Sequence, residues 1–348
     1  MVARPGMDRG VAVWSTPEWR ESAVAWLDER LAANGIRRTG AVEQTRVQPW
    51  GTVLMAPTTA GPVWFKAGGH DTRYESALYR ILVDAAPRFV LHPIAVDTDR
   101  GWLLLRDAGP PVVPKGASVD TLVDVITRAL PDYAALQRAL VPRVEEMLAI
   151  GVRDMRLASL PDVFEEMLVA TWTFVDRHGT KEDHQLWERT AALRPAVIDG
   201  CGRLAGSAIL VSLDHNDLHT ENIRFGPSES DPFRFYDWGD SGVAHPFTSM
   251  LVCLGVLVDY YGLALDDPRL LAARDAYLES FTDLAPLPEL IEELELACWL
   301  ARIARALTWE RVAAAQPDQD GVPGEFARDP FRVLSSMLIG SYLGMGGI

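Results

Sequence analysis

Residues 212–222 read "SLDHNDLHTEN", which crowds two His, two Asp and two Asn into eleven positions after the apolar run Ala208-Ile209-Leu210-Val211. Fifteen positions past Asn222 lies Asp237, inside "FYDWGD". A solvated turn needs one or two such side chains, not this many. Spacing suggests a division of labour. One carboxylate can accept the proton of a substrate hydroxyl. A side-chain amide oxygen and a second carboxylate can hold a hard cation such as magnesium, which prefers oxygen ligands and bridges phosphates. Phosphoryl transfer asks for these parts, plus a further cation on the phosphates. Loop capping by Asp and Asn is the plainer alternative. A zinc site on His215 and His219 has helical spacing, but Asn216 stands where the metalloprotease motif needs Glu.

The further cation has a candidate in "PVWFKAGG", where Lys66 interrupts an apolar strand pattern. A charge placed there needs a partner or a ligand. Lys66, Lys115 and Lys181 are the only lysines of the chain, so a lysine here is not generic surface charge. Glu75, nine residues on, could pair with it, whereas Tyr74, Ser76 and Arg80 are poorer partners. An outward strand-edge lysine and a solvated glutamate are the alternatives.

Two kinds of element must position these groups. Residues 15–35 predict a helix, with Ser15 and Glu18 at capping-box spacing, Pro17 in the first turn and Gly35 as its stop. Strand patterns follow over 41–48, 51–57 and 62–67, with a turn at 58–61. A helix over 72–83 and short strands near 90–96 and 102–105 complete this part, and "RDAGPP" (106–111) breaks the pattern. Beyond it, helices are predicted over 119–139, 161–178, 183–198, 246–260, 268–281 and 288–314. Residues 209–238 interrupt them with strands and loops, including a hairpin turn at 226–232. The fold class is therefore α+β, a small β-rich N-terminal lobe followed by a larger, mostly helical C-terminal lobe.

"HNDLHTEN" followed by "YDWGD" resembles the catalytic loop and metal-binding segment of the aminoglycoside phosphotransferase and choline kinase superfamily. These are small-molecule kinases with a protein-kinase-like fold, and their catalytic loop reads H-x-D-x-x-x-x-N. The resemblance implies Asp217 as catalytic base, Asn222 and Asp237 as Mg2+ ligands, and His215 as a loop-ordering residue. It implies that Lys66 binds the nucleotide with Glu75 as its partner. It also implies a hinge whose backbone binds the nucleobase, with Leu105, Arg106 and Asp107 as candidates. The implied division is a nucleotide-binding lobe over 1–105, a hinge over 106–118 and a helical lobe over 119–348. That last lobe holds the catalytic loop at 213–222 and the metal segment at 236–240. The motifs span about 44–250. The sequence departs from protein kinases at three places: Gln48-Pro49-Trp50-Gly51-Thr52 replaces a Gly-rich loop, "DWG" replaces D-F-G, and no A-P-E follows.

The acceptor is less legible. Asp240 could face it, or could serve a turn. Trp172, Trp187, Trp299 and Trp309 fall in predicted helices, where aromatic faces suit sugars and organic cations but more often form core. Trp299 is taken as the substrate-binding candidate beside Asp240. The acidic first half and basic second half of "PELIEELELACWLARIARALTWER" suit a helix dipole without any ligand.

The 348 residues carry 33 basic and 48 acidic side chains, a net charge of -15, which argues against a nucleic-acid partner. Three cysteines without metal spacing fit a reduced compartment. The first residues lack a signal-peptide core, and the longest apolar run, Met250–Val258, is too short to span a bilayer. The expectation is a cytoplasmic kinase using ATP or GTP with Mg2+, with no membrane partner. Its acceptor would be a hydroxylated small molecule such as an amino sugar or aminoglycoside-like antibiotic. A kinase-like nucleotide- or metabolite-binding protein without catalysis is the alternative. The full set of Asp217, Asn222, Asp237 and Lys66 speaks against it.

Overall fold

The computed structural model describes residues 10–228, 230–316 and 322–344. The first lobe contains α1 (Gly10–Trp14), α2 (Pro17–Ala33), β1 (Glu43–Gln48), β2 (Gly51–Ala56), β3 (Val63–Gly68), α3 (Glu75–Ala85), β4 (Pro93–Asp97) and β5 (Trp102–Arg106). The strands form one antiparallel sheet of order β1-β2-β3-β5-β4.

Alternation along β3 decides where the lysine goes. Val63, Phe65 and Ala67 point to one face and are buried with Trp26, Leu27, Leu31 and Trp102. Trp19, Trp26, Phe65 and Trp102 meet there edge to face, with Phe65 and Trp102 centroids 5.3 Å apart. Because successive strand side chains alternate, Trp64 and Lys66 are left on the opposite face, towards the cleft. Helix α2 thus seals the back of the sheet. Its cap is Thr16 rather than Ser15: the Thr16 hydroxyl accepts the Trp19 N–H at 3.3 Å, one position later than the capping-box spacing predicts. Gly35 follows the helix at φ 68, the left-handed turn that its lack of Cβ permits.

The second lobe begins with α4 (Val119–Leu140) and α5 (Val144–Ala149), then β6 (Arg153–Asp154) and α6 (Leu160–His178). The predicted helix over 183–198 is two helices, α7 (Lys181–Ala191) and α8 (Arg194–Leu204). Pro195, lacking an N–H, opens the first turn of the second instead of continuing the first. Next come β7 (Ser212–Asp214), β8 (Ile223–Arg224), β9 (Arg234–Phe235) and β10 (Gly242–Ala244). The chain then runs through α9 (Met250–Asp259), α10 (Pro268–Leu278), α11 (Leu287–Ala314) and α12 (Asp329–Ser335). Strands β8 and β9 pair antiparallel, as the predicted hairpin requires; Glu229 in its 226–232 turn lies outside the described residues. Strand β10 lies between β6 and β7.

Helix α11 is the axis of this lobe. From Ala297 to Thr308 nearly every residue is buried, on all sides of the helix. Its basic half is not solvated: Arg302, Arg305 and Arg311 are 0%, 7% and 8% exposed. Glu289 in the first turn and Arg311 in the last do suit the helix dipole, whereas Arg302 and Arg305 lie inside the helix and have other partners. Arg302 donates to the carbonyls of Ser341 and Gly344, both at 2.9 Å, and so ties the final residues to the core. Among the described residues no helix is long and apolar enough to cross a membrane. Cys201, Cys253 and Cys298 are all buried thiols.

Candidate active site

The floor of the cleft between the lobes is built from two short segments and one helix. Strand β7 feeds the loop that carries His215, Asn216 and Asp217. The hairpin β8–β9 returns the chain to Asp237, and α11 passes beneath both.

Asn216 and Asp237 have φ of 57 and 65, the only positive values outside glycine among the described residues. Such backbone costs about 1–2 kcal/mol per residue and persists where surroundings over-determine it. Around Asn216 the surroundings are explicit. Its N–H donates to Asp214 Oδ1 at 2.8 Å, and its Nδ2 donates to Thr308 Oγ1 at 2.9 Å. Its carbonyl accepts from Arg305 Nη1 at 3.0 Å. Asp214 is itself braced by Ser249 Oγ at 2.7 Å. His215 is buried, and burial holds its imidazole below the usual range, so it is neutral. Its ring packs at a tilt against Trp238 with centroids 4.6 Å apart, and Nε2 lies 3.0 Å from the Tyr236 carbonyl. His215 thus orders the loop and stays out of the cavity.

Lys66 reaches across the cleft from β3. Its Nζ lies 2.7 Å from Glu75 Oε2 and pairs directly with Asp237 Oδ1. Burial opposes its charge, but Asp237 and then Glu75 outweigh that and keep the ammonium protonated well above its ordinary range. Burial raises the proton affinity of Glu75, and Lys66 offsets this only in part. For Asp237 the ion pair with Lys66 wins over burial, so the carboxylate stays ionised. Glu75 Oε1 also accepts the Trp238 N–H at 3.0 Å. The Tyr74 hydroxyl is within hydrogen-bond distance of the Gly239 and Ser241 carbonyls, at 2.8 and 2.9 Å. Two adjacent residues at the start of α3 therefore fix the segment 238–241 to the first lobe.

Asp217 faces a cavity of about 320 Å³ together with Asn222, Asp237, Asp240, Arg305 and Arg311. Burial works against its charge. Arg305 Nη1 at 3.1 Å and His219 at 3.4 Å prevail and hold the carboxyl well below the usual range. The same contact raises His219 despite its burial. Asn222 Nδ2 donates to the Asp217 carbonyl at 2.9 Å, so its side-chain oxygen is the atom left to meet a cation. Asn222 and Asp237 offer oxygen ligands only, and among the described residues no cluster of three or more His, Cys, Asp or Glu could cage a metal. Two oxygen ligands without a cage fit magnesium, which keeps waters and shares phosphate oxygens.

A second, larger cavity of about 1000 Å³ meets the first at Lys66, Asn222 and Asp237. Leu105, Arg106 and Asp107 line it. Asp107 is partly committed: its N–H donates to the Pro62 carbonyl at 3.2 Å, and its Oδ1 accepts from Trp64 Nε1 at 2.8 Å. In place of a Gly-rich loop, Pro49 and Trp50 form a tight β1–β2 turn. The Trp50 carbonyl accepts from Gly69 N–H at 3.0 Å and from Thr72 Oγ1 at 3.1 Å, which holds this turn over the smaller cavity.

Asp240 lines the smaller cavity but is paired to Arg311 Nη2 at 2.8 Å. Trp299 lies elsewhere. Its indole donates to the Met337 carbonyl at 2.9 Å, and it borders a separate depression with Leu265 and Tyr342. Trp309 is the tryptophan of α11 that lines the cleft. Ten residues advance a helix by about 15 Å and leave the two rings about 80° apart around its axis, so they cannot share a site. Trp172 and Trp187 pack on each other, 4.7 Å apart, away from both cavities. Arg305, Thr308 and Arg311 were not legible as site residues. The i, i+3 repeat of arginines at 302 and 305 in the otherwise apolar stretch 296–307 was the available signal.

A five-stranded sheet lobe, a helical lobe and a lysine, asparagine and two aspartates meeting between them define a protein-kinase-like fold. Solved structures agree. The ethanolamine kinase of Plasmodium vivax superposes with a TM-score of 0.62 at 10% identity, over 93% of this chain and 89% of its own. The choline kinase of Streptococcus pneumoniae gives 0.57 at 14%, over 91% and 98%. The macrolide 2'-phosphotransferase of Brachybacterium faecium gives 0.51 at 17%, over 85% and 99%. At these identities the likeness is one of fold, and it is the fold the sequence motifs imply. No protein-family model and no curated protein sequence matches the chain.

Proposed function

We propose that the protein is a small-molecule kinase that transfers the γ-phosphoryl group of ATP or GTP to a hydroxyl of a small acceptor. The observation that carries this reading is the convergence of Lys66, the Asp217–Asn222 loop and Asp237, three separate stretches of the chain, where two cavities meet. The larger cavity takes the nucleotide, with its base towards Leu105, Arg106 and Asp107. The smaller one takes the acceptor.

Lys66, aimed by Glu75, binds the phosphates. Asn222 and Asp237 would hold Mg2+, which when bound neutralises phosphate charge and orients the triphosphate. Asp217 accepts the hydrogen bond of the acceptor hydroxyl and points its oxygen at phosphorus. The new O–P bond forms as the bond to the nucleoside diphosphate breaks. Asp217 is a weak base because Arg305 and His219 hold its charge, so it orients the hydroxyl first and takes its proton only as that bond forms.

The test is incubation with Mg-ATP or Mg-GTP and a panel of amino sugars, aminoglycosides, amino alcohols and hydroxy acids, read by mass spectrometry for an added phosphoryl group. The expected result is phosphorylation of at least one acceptor that disappears in Asp217→Asn. Nucleotide bound but never consumed across the panel would instead favour a binding protein.

A further inference from the structure

We infer that the acceptor pocket recognises an anionic group, a carboxylate or a phosphate, through Arg311 with Arg153 beside it. The inference rests on the kinase reading and names its acceptor class.

Arg311 enters the pocket from α11 and is 8% exposed. Its Nη2 donates to Asp240 Oδ1 at 2.8 Å and to Thr308 Oγ1 at 3.1 Å. Its Nε and Nη1 are buried without any acceptor. Arg153, on β6, lies within electrostatic reach, and its Nε also has no acceptor. The carboxylate facing Arg153, Asp71 Oδ2, is 4.0 Å away. Burial, and then the field of Arg311, bring the Arg153 guanidinium down to about 10. Two guanidiniums within each other's field, both with buried N–H groups that lack acceptors, are costly, and folded proteins retain few such groups without a reason. An anion removes both penalties at once, because its oxygens accept from the fork while its charge separates the two cations. Arg311 is held on one side only, so its fork can turn from Asp240 into the cavity.

The same inventory argues against an ammonium-bearing acceptor. Asp217 is paired with Arg305, Asp240 with Arg311, and Asp71 faces His70 at 3.1 Å as well as Arg153. Asp237 is paired with Lys66. The remaining acidic side chain, Glu221, lines both cavities and so sits at their junction rather than at the inner wall.

The experiment is calorimetric binding at constant ionic strength, with saturating Mg-ADP so that phosphate probes do not occupy the nucleotide site. Matched probes are glycerate and gluconate, glycerol 3-phosphate and glucose 6-phosphate, glycerol and glucose, and ethanolamine and glucosamine. One anion arm should bind at least about 10-fold more tightly than its neutral and amine counterparts, the scale of a charge-assisted hydrogen bond. The arm that responds separates carboxylate from phosphate. Arg311→Met should abolish the advantage at unchanged Mg-ADP affinity, and Asp240→Asn, which removes the competing carboxylate, should widen it. Should Arg311→Met fail to fold, Asp240→Asn decides. Preference for an amine, absence of anion binding, or anion selectivity that survives Arg311→Met or fails to widen in Asp240→Asn overturns the inference. Turnover of the same probes with Mg-ATP is scored separately. Arg311-dependent anion binding without turnover would keep the anion site and defeat the kinase reading. Amine turnover without anion binding would do the reverse.

Discussion

The two sides of the cleft hold their charges differently. On the side proposed for the nucleotide one ammonium, Lys66, is shared between Glu75 and Asp237. On the side proposed for the acceptor Asp217 and Asp240 each have their own guanidinium, Arg305 and Arg311. Lysine is a compact charge on a flexible stem, so it can shift between a carboxylate and a phosphate. Arginine is a planar fork that fixes what it binds. The nucleotide side is therefore arranged to exchange partners, whereas Arg305, which also holds the Asn216 carbonyl at 3.0 Å, keeps Asp217 in place. Their supports differ accordingly. Lys66 hangs from a sheet backed by α2, whereas both arginines belong to a helix buried on every side.

If that contrast is right, Asp217→Asn gives the largest loss. Turnover should fall about 10²–10⁴-fold, while Mg-ADP affinity measured by calorimetry stays within a few-fold. Unchanged turnover in a folded variant would remove Asp217 from the chemistry. Next is Lys66→Met, which leaves Glu75 and Asp237 facing each other without a cation. Denaturant melts should show about 3 kcal/mol of lost stability, the scale of a broken buried pair. Lys66→Met with Glu75→Gln should recover part of that stability but none of the nucleotide binding. Equal stability of the single and double variants would mean that the shared-lysine picture is wrong.

Arg305→Lys keeps the charge and removes the fork. Turnover should drop about 10-fold or more, the scale of a charged hydrogen bond, with the nucleotide KM unchanged. A rise in nucleotide KM instead would erase the division between the two sides. The smallest effect belongs to Tyr74→Phe, which deprives the Gly239 and Ser241 carbonyls of their shared donor. About 1 kcal/mol of stability should be lost, and the Lys66 side should weaken before the arginine side, visible as a higher nucleotide KM at constant turnover.

Lys66, Asp217, Asn222 and Asp237 were readable beforehand because the signals that mark them are local. Asp217 and Asn222 share one loop, Asp237 follows after one hairpin, and Lys66 stands out as one of three lysines. The strand alternation that turns Phe65 and Ala67 to the core also turns Lys66 to the cleft, so its direction follows from period two. The acceptor side was not readable in the same way. Trp299 and Trp309 look equivalent in the sequence, and only the docking of α11 separates them. The arginines of that helix fit a dipole argument equally well, because a helix buried all round carries no amphipathic stripe to show which face meets which neighbour.

The amino-acid sequence by itself determined the two-lobed α+β architecture, the order of most of its longer strands and helices, and the identity of the lysine, asparagine and aspartates at its centre. These depend on periodicity and spacing over a few tens of residues. The tertiary structure alone decided that Lys66 meets Asp237 and that Arg305 holds Asp217. It alone set Arg311 and Arg153 together without acceptors and left Trp299 far from the cleft. Those contacts join residues separated by up to 171 positions, and no local pattern encodes which faces of distant elements will pack together.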